Sequence, residues 1–170
     1  MKSKNISYLT QAAMIAALYV ILTQLAHLFG LDSQAIQLRF SEALTILPFF
    51  TPAAIPGLFV GCILANFFAG CLPWDIVFGS LATLLGALGT YALRKNKWLA
   101  PLPPILSNTL IVPFVLSYVY HLPGSIPYFM LTVGAGEVLS CAVLGLPFLL
   151  SLERYGKHLF YRESSTPGNK

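Results

Sequence analysis

Apolar residues fill this chain in six stretches, separated by short polar or proline- and glycine-rich breaks. The stretches cover 8–29, 38–50, 53–69, 74–93, 102–120 and 126–152. None alternates apolar and polar residues as a barrel strand would. In lipid the backbone must satisfy its hydrogen bonds within each segment, so all six are predicted as helices. The second stretch is the unusual one. It has 13 residues, opens with Arg39 and Glu42 and contains Pro48, and Pro52 and Pro56 follow. As an α-helix it spans roughly 20 Å, short of a hydrocarbon layer about 30 Å thick. A charged pair at the mouth of so short a helix suggests a binding site more than a passive anchor.

Composition supports the membrane reading. Of 170 residues, 56% are hydrophobic and 9% charged, and the mean hydropathy is +0.74. Soluble domains carry about 25% charged residues. The prediction is an all-α integral membrane protein: one six-transmembrane-helix bundle over 1–153 and a polar tail over 154–170. The first stretch is too long for the apolar core of a signal peptide and lacks a small-residue cleavage site, so it is expected to remain in the mature protein.

Charge sets the orientation. Lys2, Lys4, Arg94, Lys95, Lys97, Arg154, Lys157, Arg162 and Lys170 are nine of the ten basic residues, and six spans place all nine on one side. The positive-inside tendency makes that side cytoplasmic, with both termini there. Asp32, Arg39, Glu42, Asp75 and Glu137 fall outside or in the outer half, where they sum to −3. A partly dry, acidic pocket favours a cationic ligand, because low dielectric strengthens charge pairing. The basic inner face follows from topology and is not read as a nucleic-acid site.

Glu137 lies about 16 Å into the sixth stretch at the helical rise. A carboxylate that deep costs about 2.5–3.5 kcal/mol on insertion scales. It needs a partner, a proton or a ligand, and Arg39 is one candidate partner. Arg39 and Glu42, spaced i, i+3, either pair with each other or offer one member to a ligand. Asp75 opens the fourth stretch, where a carboxylate suits the positive helix end as a cap or serves the pocket. Trp74, Tyr118, Tyr120, Tyr128 and Phe129 fit an aromatic belt, though one or two could stack on a flat heterocycle. Asn66 is the better ligand candidate of the two intramembrane asparagines, and Asn108 reads as interhelical glue. Cys62, Cys71 and Cys141 have no metal or disulfide spacing and read as small apolar residues. His27 and His121 make a weak metal case. No metal or cofactor is expected.

Small residues at i, i+4 mark close helix contacts: Ala12 with Ala16, Ala13 with Ala17, and Gly57 with Gly61. Internal packing accounts for such pairs, yet the alanine run of the first stretch could also face another protein. There is no nucleophile elbow, HExxH or P-loop, so no catalytic constellation is present and an energised transporter would draw its ATPase from another chain.

The runs FSEALTILPFFTPAAIPGLFVGCILAN, DIVFGSLATLLGA and GAGEVLSCAVLGLP resemble the QueT family, substrate-binding (S) components of energy-coupling factor (ECF) transporters. The resemblance extends over roughly 8–152. It implies six helices with both termini inside, and a binding site near the outer face built with the loops after spans one, three and five. It implies alanine contacts with the transmembrane coupling subunit, mapped here onto Ala12, Ala13, Ala16 and Ala17, and two cytoplasmic ATPases. The implied ligands are queuosine precursors, which are 7-deazaguanine compounds, some bearing an aminomethyl cation. Another vitamin-like micronutrient on the same scaffold, or a small membrane enzyme using Glu137 as acid or base, are the alternatives.

Overall fold

The computed structural model describes residues 2–30 and 39–155, without the side chains of 2–4. Asp32, Lys157, Arg162 and Lys170 lie outside the described residues, as do the side chains of Lys2 and Lys4. Every regular element among the described residues is helical. Helix α1 is Lys2–Leu28, and a 3₁₀ segment follows over Phe40–Phe49. Then come α2 (Ala54–Phe68), α3 (Pro73–Ala92), a one-turn 3₁₀ element (Lys97–Leu99) and α4 (Leu102–Tyr118). The last rod is continuous: α5 (Ile126–Glu137) widens into a π-helical stretch, Val138–Leu144, and resumes as α6 (Gly145–Tyr155). Four rods are long and apolar enough to cross a membrane: Asn5–Leu28, Pro73–Ala92, Lys97–Tyr118 and Ile126–Tyr155. The 3₁₀ segment and α2 are the two shorter apolar helices.

The second stretch departs from the α-helix expected of it. Pro48 has no N–H to donate, and Thr45 Oγ1 donates to the Glu42 carbonyl at 2.6 Å, fastening an i, i+3 relation. At about 2.0 Å per residue, ten 3₁₀ residues reach roughly 20 Å, the length that 13 α-helical residues would give. The segment touches α1, α2, α3, the π stretch and α6. Seven of its ten residues are buried, so it is the axial rod and the other helices are its wall.

Helices α1 and α2 meet at backbone distance. A Cβ on Gly57 would lie 2.7 Å from the Ala12 carbonyl oxygen, and one on Gly61 would lie 3.0 Å from Ala16 Cα. Ala12 and Ala16 are therefore occupied by α2, whereas Ala13 and Ala17 are exposed on the opposite face. That is a correction to the expectation that all four alanines face a partner: one i, i+4 pair packs internally. At the other side of the bundle α3 and α4 also approach closely, with a Gly86 Cβ placed 2.7 Å from Pro104 Cα.

Candidate functional site

The axial rod carries Glu42 into the centre of the bundle, where it is 1% exposed. Tyr19 of α1 donates its hydroxyl to Glu42 Oε1 at 2.5 Å, and the Asn108 amide of α4 donates to Oε2 at 3.5 Å. Thr23, one turn along α1 from Tyr19, donates to Ser41 Oγ at 2.8 Å. The face of α1 opposite its exposed alanines is thus tied to the rod by hydroxyl groups.

Glu137, 7% exposed, reaches the same place from the last rod. It stands where α5 gives way to the π stretch, a kind of local widening that recurs at functional sites. Cys141, one turn on, donates its thiol to Glu137 Oε2 at 3.3 Å. Its sulfur also lies 3.6 Å from both Thr45 Oγ1 and the Glu42 carbonyl. Glu42, Glu137 and Cys141 each bring one ligand atom to within 4.8 Å of one another. They are the single group among the described residues with the spacing to hold a cation; neither His27 nor His121 belongs to it.

Around this centre lies a second polar layer. Arg39, half-buried, donates its backbone N–H to Ser140 Oγ at 3.3 Å. Its positive charge acts on Asp75, Glu42 and Glu137. Asp75 lies in the first turn of α3 but no side-chain cap bond is made there. It accepts instead from the Tyr120 hydroxyl at 2.9 Å. The same hydroxyl accepts the Leu72 N–H at 3.3 Å, which joins the α2–α3 turn to the α4–α5 connection. Burial, together with the adjacent Asp75, pushes the Tyr120 phenol above its usual range and keeps it a donor. Asn66 donates to Cys62 Sγ at 3.6 Å, beside a Thr83 hydroxyl at 3.4 Å from the same sulfur. Asn66 and Asp75 both stand over Gly79, since a Cβ there would lie 3.2 Å from the Asn66 amide and 3.5 Å from an Asp75 oxygen.

Five of the predicted site residues are therefore drawn toward one polar interior: Glu42, Glu137, Arg39, Asn66 and Asp75. Three are not. Trp74 is 62% exposed and stacks on Phe78; Tyr118 is 66% exposed and stacks on Phe114. Tyr128 is exposed and meets Phe129 edge-on. Trp74 and Tyr118 instead line an open surface depression of about 590 Å³ with His121. Tyr19 and Cys141 were missed as site residues, and Tyr120, weighed only as a belt or stacking aromatic, acts here through its hydroxyl. Tyr19 and Thr23 repeat at i, i+4 on α1, and Cys141 stands at i+4 from Glu137; those spacings were the available signal.

Comparison with known sequences places these features in context. The sequence model of the family described as QueT transporter matches residues 9–154. The chain is 39% identical over 85 residues to a protein named queuosine precursor transporter QueT from Lactococcus lactis subsp. cremoris (strain MG1363). That match covers 49% of this chain and 48% of the relative, so the chain spans about half the length of the curated relative it matches. No solved structure matches.

Proposed function

The chain belongs to the QueT transporter family, and from that premise we propose that it captures a queuosine precursor, a 7-deazaguanine compound, in its polar centre. The observation that carries the proposal is the enclosure of Glu42 and Glu137 at one point of the bundle, reached from separate rods. A flat base with several N–H donors suits such a centre, because buried carboxylates need donors to offset their desolvation. Glu42, Glu137, Arg39, Asn66 and Asp75 are the ligand contacts in this reading. Trp74, Tyr118 and Tyr128 ring the end by which the ligand enters. A family of transporters sets aside the membrane-enzyme alternative.

In the fuller form of the proposal, all six rods lie in the membrane with both termini cytoplasmic, and the chain is the S component of an ECF importer. Arg94, Lys95, Lys97 and Arg154 supply the inner charge, held in part by the Lys97–Glu153 ion pair at 2.9 Å. A coupling subunit then docks on the exposed Ala13 and Ala17 face of α1, and two ATPases complete the complex. Mass spectrometry of ligand retained through purification tests the capture step. A 7-deazaguanine mass, displaced by added precursor, is the expected result. Retention of a different micronutrient, or no binding of any 7-deazaguanine, refutes it.

A further inference from the structure

We infer that the outer surface of the α3–α4 wall holds one glycerophospholipid, an acyl chain in the groove between the two helices and the phosphate in the depression at its end. None of Glu42, Glu137, Arg39, Asn66 and Asp75 lines either cavity. The site is therefore separate from the polar centre and does not rest on precursor capture.

The groove follows from where small residues stand. Near the Lys97–Leu99 element α3 and α4 touch: besides Gly86 at Pro104, a Cβ on Gly89 would lie 2.5 Å from Pro103 Cβ. Toward the α2–α3 turn a groove of about 550 Å³ opens between the same helices. Phe78, Leu81 and Leu85 of α3 wall one side, and Leu110, Phe114 and Tyr118 of α4 the other. All six side chains are exposed. Both helices are long and apolar enough to cross a membrane, so lipid is what meets this face. The depression of about 590 Å³ shares Phe78, Tyr118 and Val119 with the groove and adds Trp74 and His121. The two form one trough. From Trp74 to Leu85 α3 rises about 16 Å, half of a hydrocarbon layer about 30 Å thick. That is the depth of one leaflet, which a single acyl chain spans.

The walls are fixed in advance. Trp74 stacks on Phe78 with centroids 6.0 Å apart, and Phe114 on Tyr118 at 6.3 Å. In each pair the wholly apolar ring lines the groove and the ring with a polar atom lines the depression. Lipid tails are as apolar as the groove, so burial alone retains nothing; packing against preformed walls and contacts to the headgroup do. The depression offers an indole N–H, a phenol and an imidazole. Among the described residues no acidic side chain lines it, because the adjacent Asp75 is turned to Tyr120. Donors without acids suit the oxygens of a phosphodiester. His121 is held at φ +50°, a conformation uncommon for a side chain other than glycine and worth a functional explanation. Docking of a coupling subunit on α1 leaves the trough open, since α1 packs chiefly on α2 and the axial rod.

The test is photo-crosslinking of the full-length protein in nanodiscs of phosphatidylglycerol doped with phosphatidylglycerol that carries a diazirine in one acyl chain. Crosslinked peptides are mapped by mass spectrometry. Labelling is expected to concentrate on 78–85 and 110–119, above the equally exposed face of α1 around Met14 and Ile21. A diacylglycerol with the same diazirine chain lacks the phosphate. It is expected to label the groove at least about fivefold less, since one net hydrogen bond corresponds to about 2- to 10-fold. Leu81→Trp, which fills the groove, is expected to abolish the preference for these peptides. Trp74→Phe keeps the stacked ring and loses the N–H, and is expected to narrow the gap between the two probes. Labelling spread evenly over α1 and the α3–α4 wall overturns the inference, because the lipid is then only annular. Equal labelling by the diacylglycerol overturns it too, as does a groove labelled less than α1. The two-probe comparison uses unaltered protein, so misfolding of a variant does not blunt it.

Discussion

Substituting Gly61 by alanine sets two effects of opposite sign against each other. Alanine is better than glycine in a helix interior by roughly 0.8–1.0 kcal/mol. The new methyl, however, meets Tyr19 Cβ at 2.9 Å, Ala16 Cα at 3.0 Å and the Ala16 oxygen at 3.1 Å. Ordinary carbon contacts lie near 3.5–4.0 Å, so α1 must withdraw by about 0.6 Å. Two of the three contacts are backbone and cannot rotate away. Overpacking of this kind costs about 1–3 kcal/mol, and rigid neighbours place the site at the upper end. The net expectation is a loss of about 1–2 kcal/mol, or roughly 4 °C in melting temperature for a chain of this size. The withdrawal also carries Tyr19 with it and stretches the 2.5 Å hydrogen bond to Glu42, so ligand affinity is expected to fall several-fold. Thermal unfolding in detergent and ligand titration read the two effects, with Ala13→Leu on the exposed face of α1 as the unaltered control. A Gly61→Ala protein that melts at or above the wild-type temperature refutes the close-contact argument. One that melts lower but binds undiminished refutes the link from packing to the site.

The alanine run separates by face. Ala13→Trp is expected to leave folding and ligand binding intact while abolishing co-purification with the coupling subunit, whereas Ala12→Trp is expected to unfold the protein; co-expression and size-exclusion chromatography distinguish them. Cys71 is half-exposed in the α2–α3 turn while Cys62 and Cys141 are buried. A membrane-impermeant maleimide on intact cells is expected to label Cys71 alone, and no labelling until the cells are opened reverses the proposed orientation.

The two glutamates were legible in the sequence because charge inside an apolar run must be satisfied by something. Their environment was not. A hydroxyl or thiol on a membrane helix is ordinary, so Tyr19 and Cys141 acquire their roles only when the rods are assembled. The aromatic residues pose the opposite difficulty. Trp74, Tyr118 and Tyr128 have the composition of both an interfacial belt and a stacking platform, and only the face they occupy decides between them. Sequence expected a short second helix over 38–50 and read it as α-helix, where the structure winds Phe40–Phe49 as 3₁₀. The 3₁₀ geometry depends on Pro48 and on a threonine–carbonyl bond whose strength comes from burial. Small-residue spacing marked close helix contacts but could not say that Ala12 and Ala16 would meet Gly57 and Gly61 while Ala13 and Ala17 stayed exposed.

The 3₁₀ winding itself explains how one slender rod serves several walls. In 3₁₀ geometry residues at i and i+3 eclipse, so the segment presents straight files instead of the drifting stripes of an α-helix. Glu42, Thr45 and Pro48 form one file, and its two polar members lie against Cys141 of the last rod. Ser41, Leu44 and Leu47 form another; Ser41 bonds Thr23 of α1, and the two leucines enter the apolar cluster with Ile15, Tyr19 and Leu58. An α-helical rod of the same sequence would turn each file by about 60° per three residues, given 3.6 residues per turn. Thr45 would then leave the Glu42 column, and the carboxylate and the leucines would compete for the same walls. The cost of poorer backbone hydrogen bonds in the 3₁₀ form is thus what keeps a polar column and an apolar column separate within one ten-residue segment. That separation leaves Glu42 free to meet Glu137 across the centre.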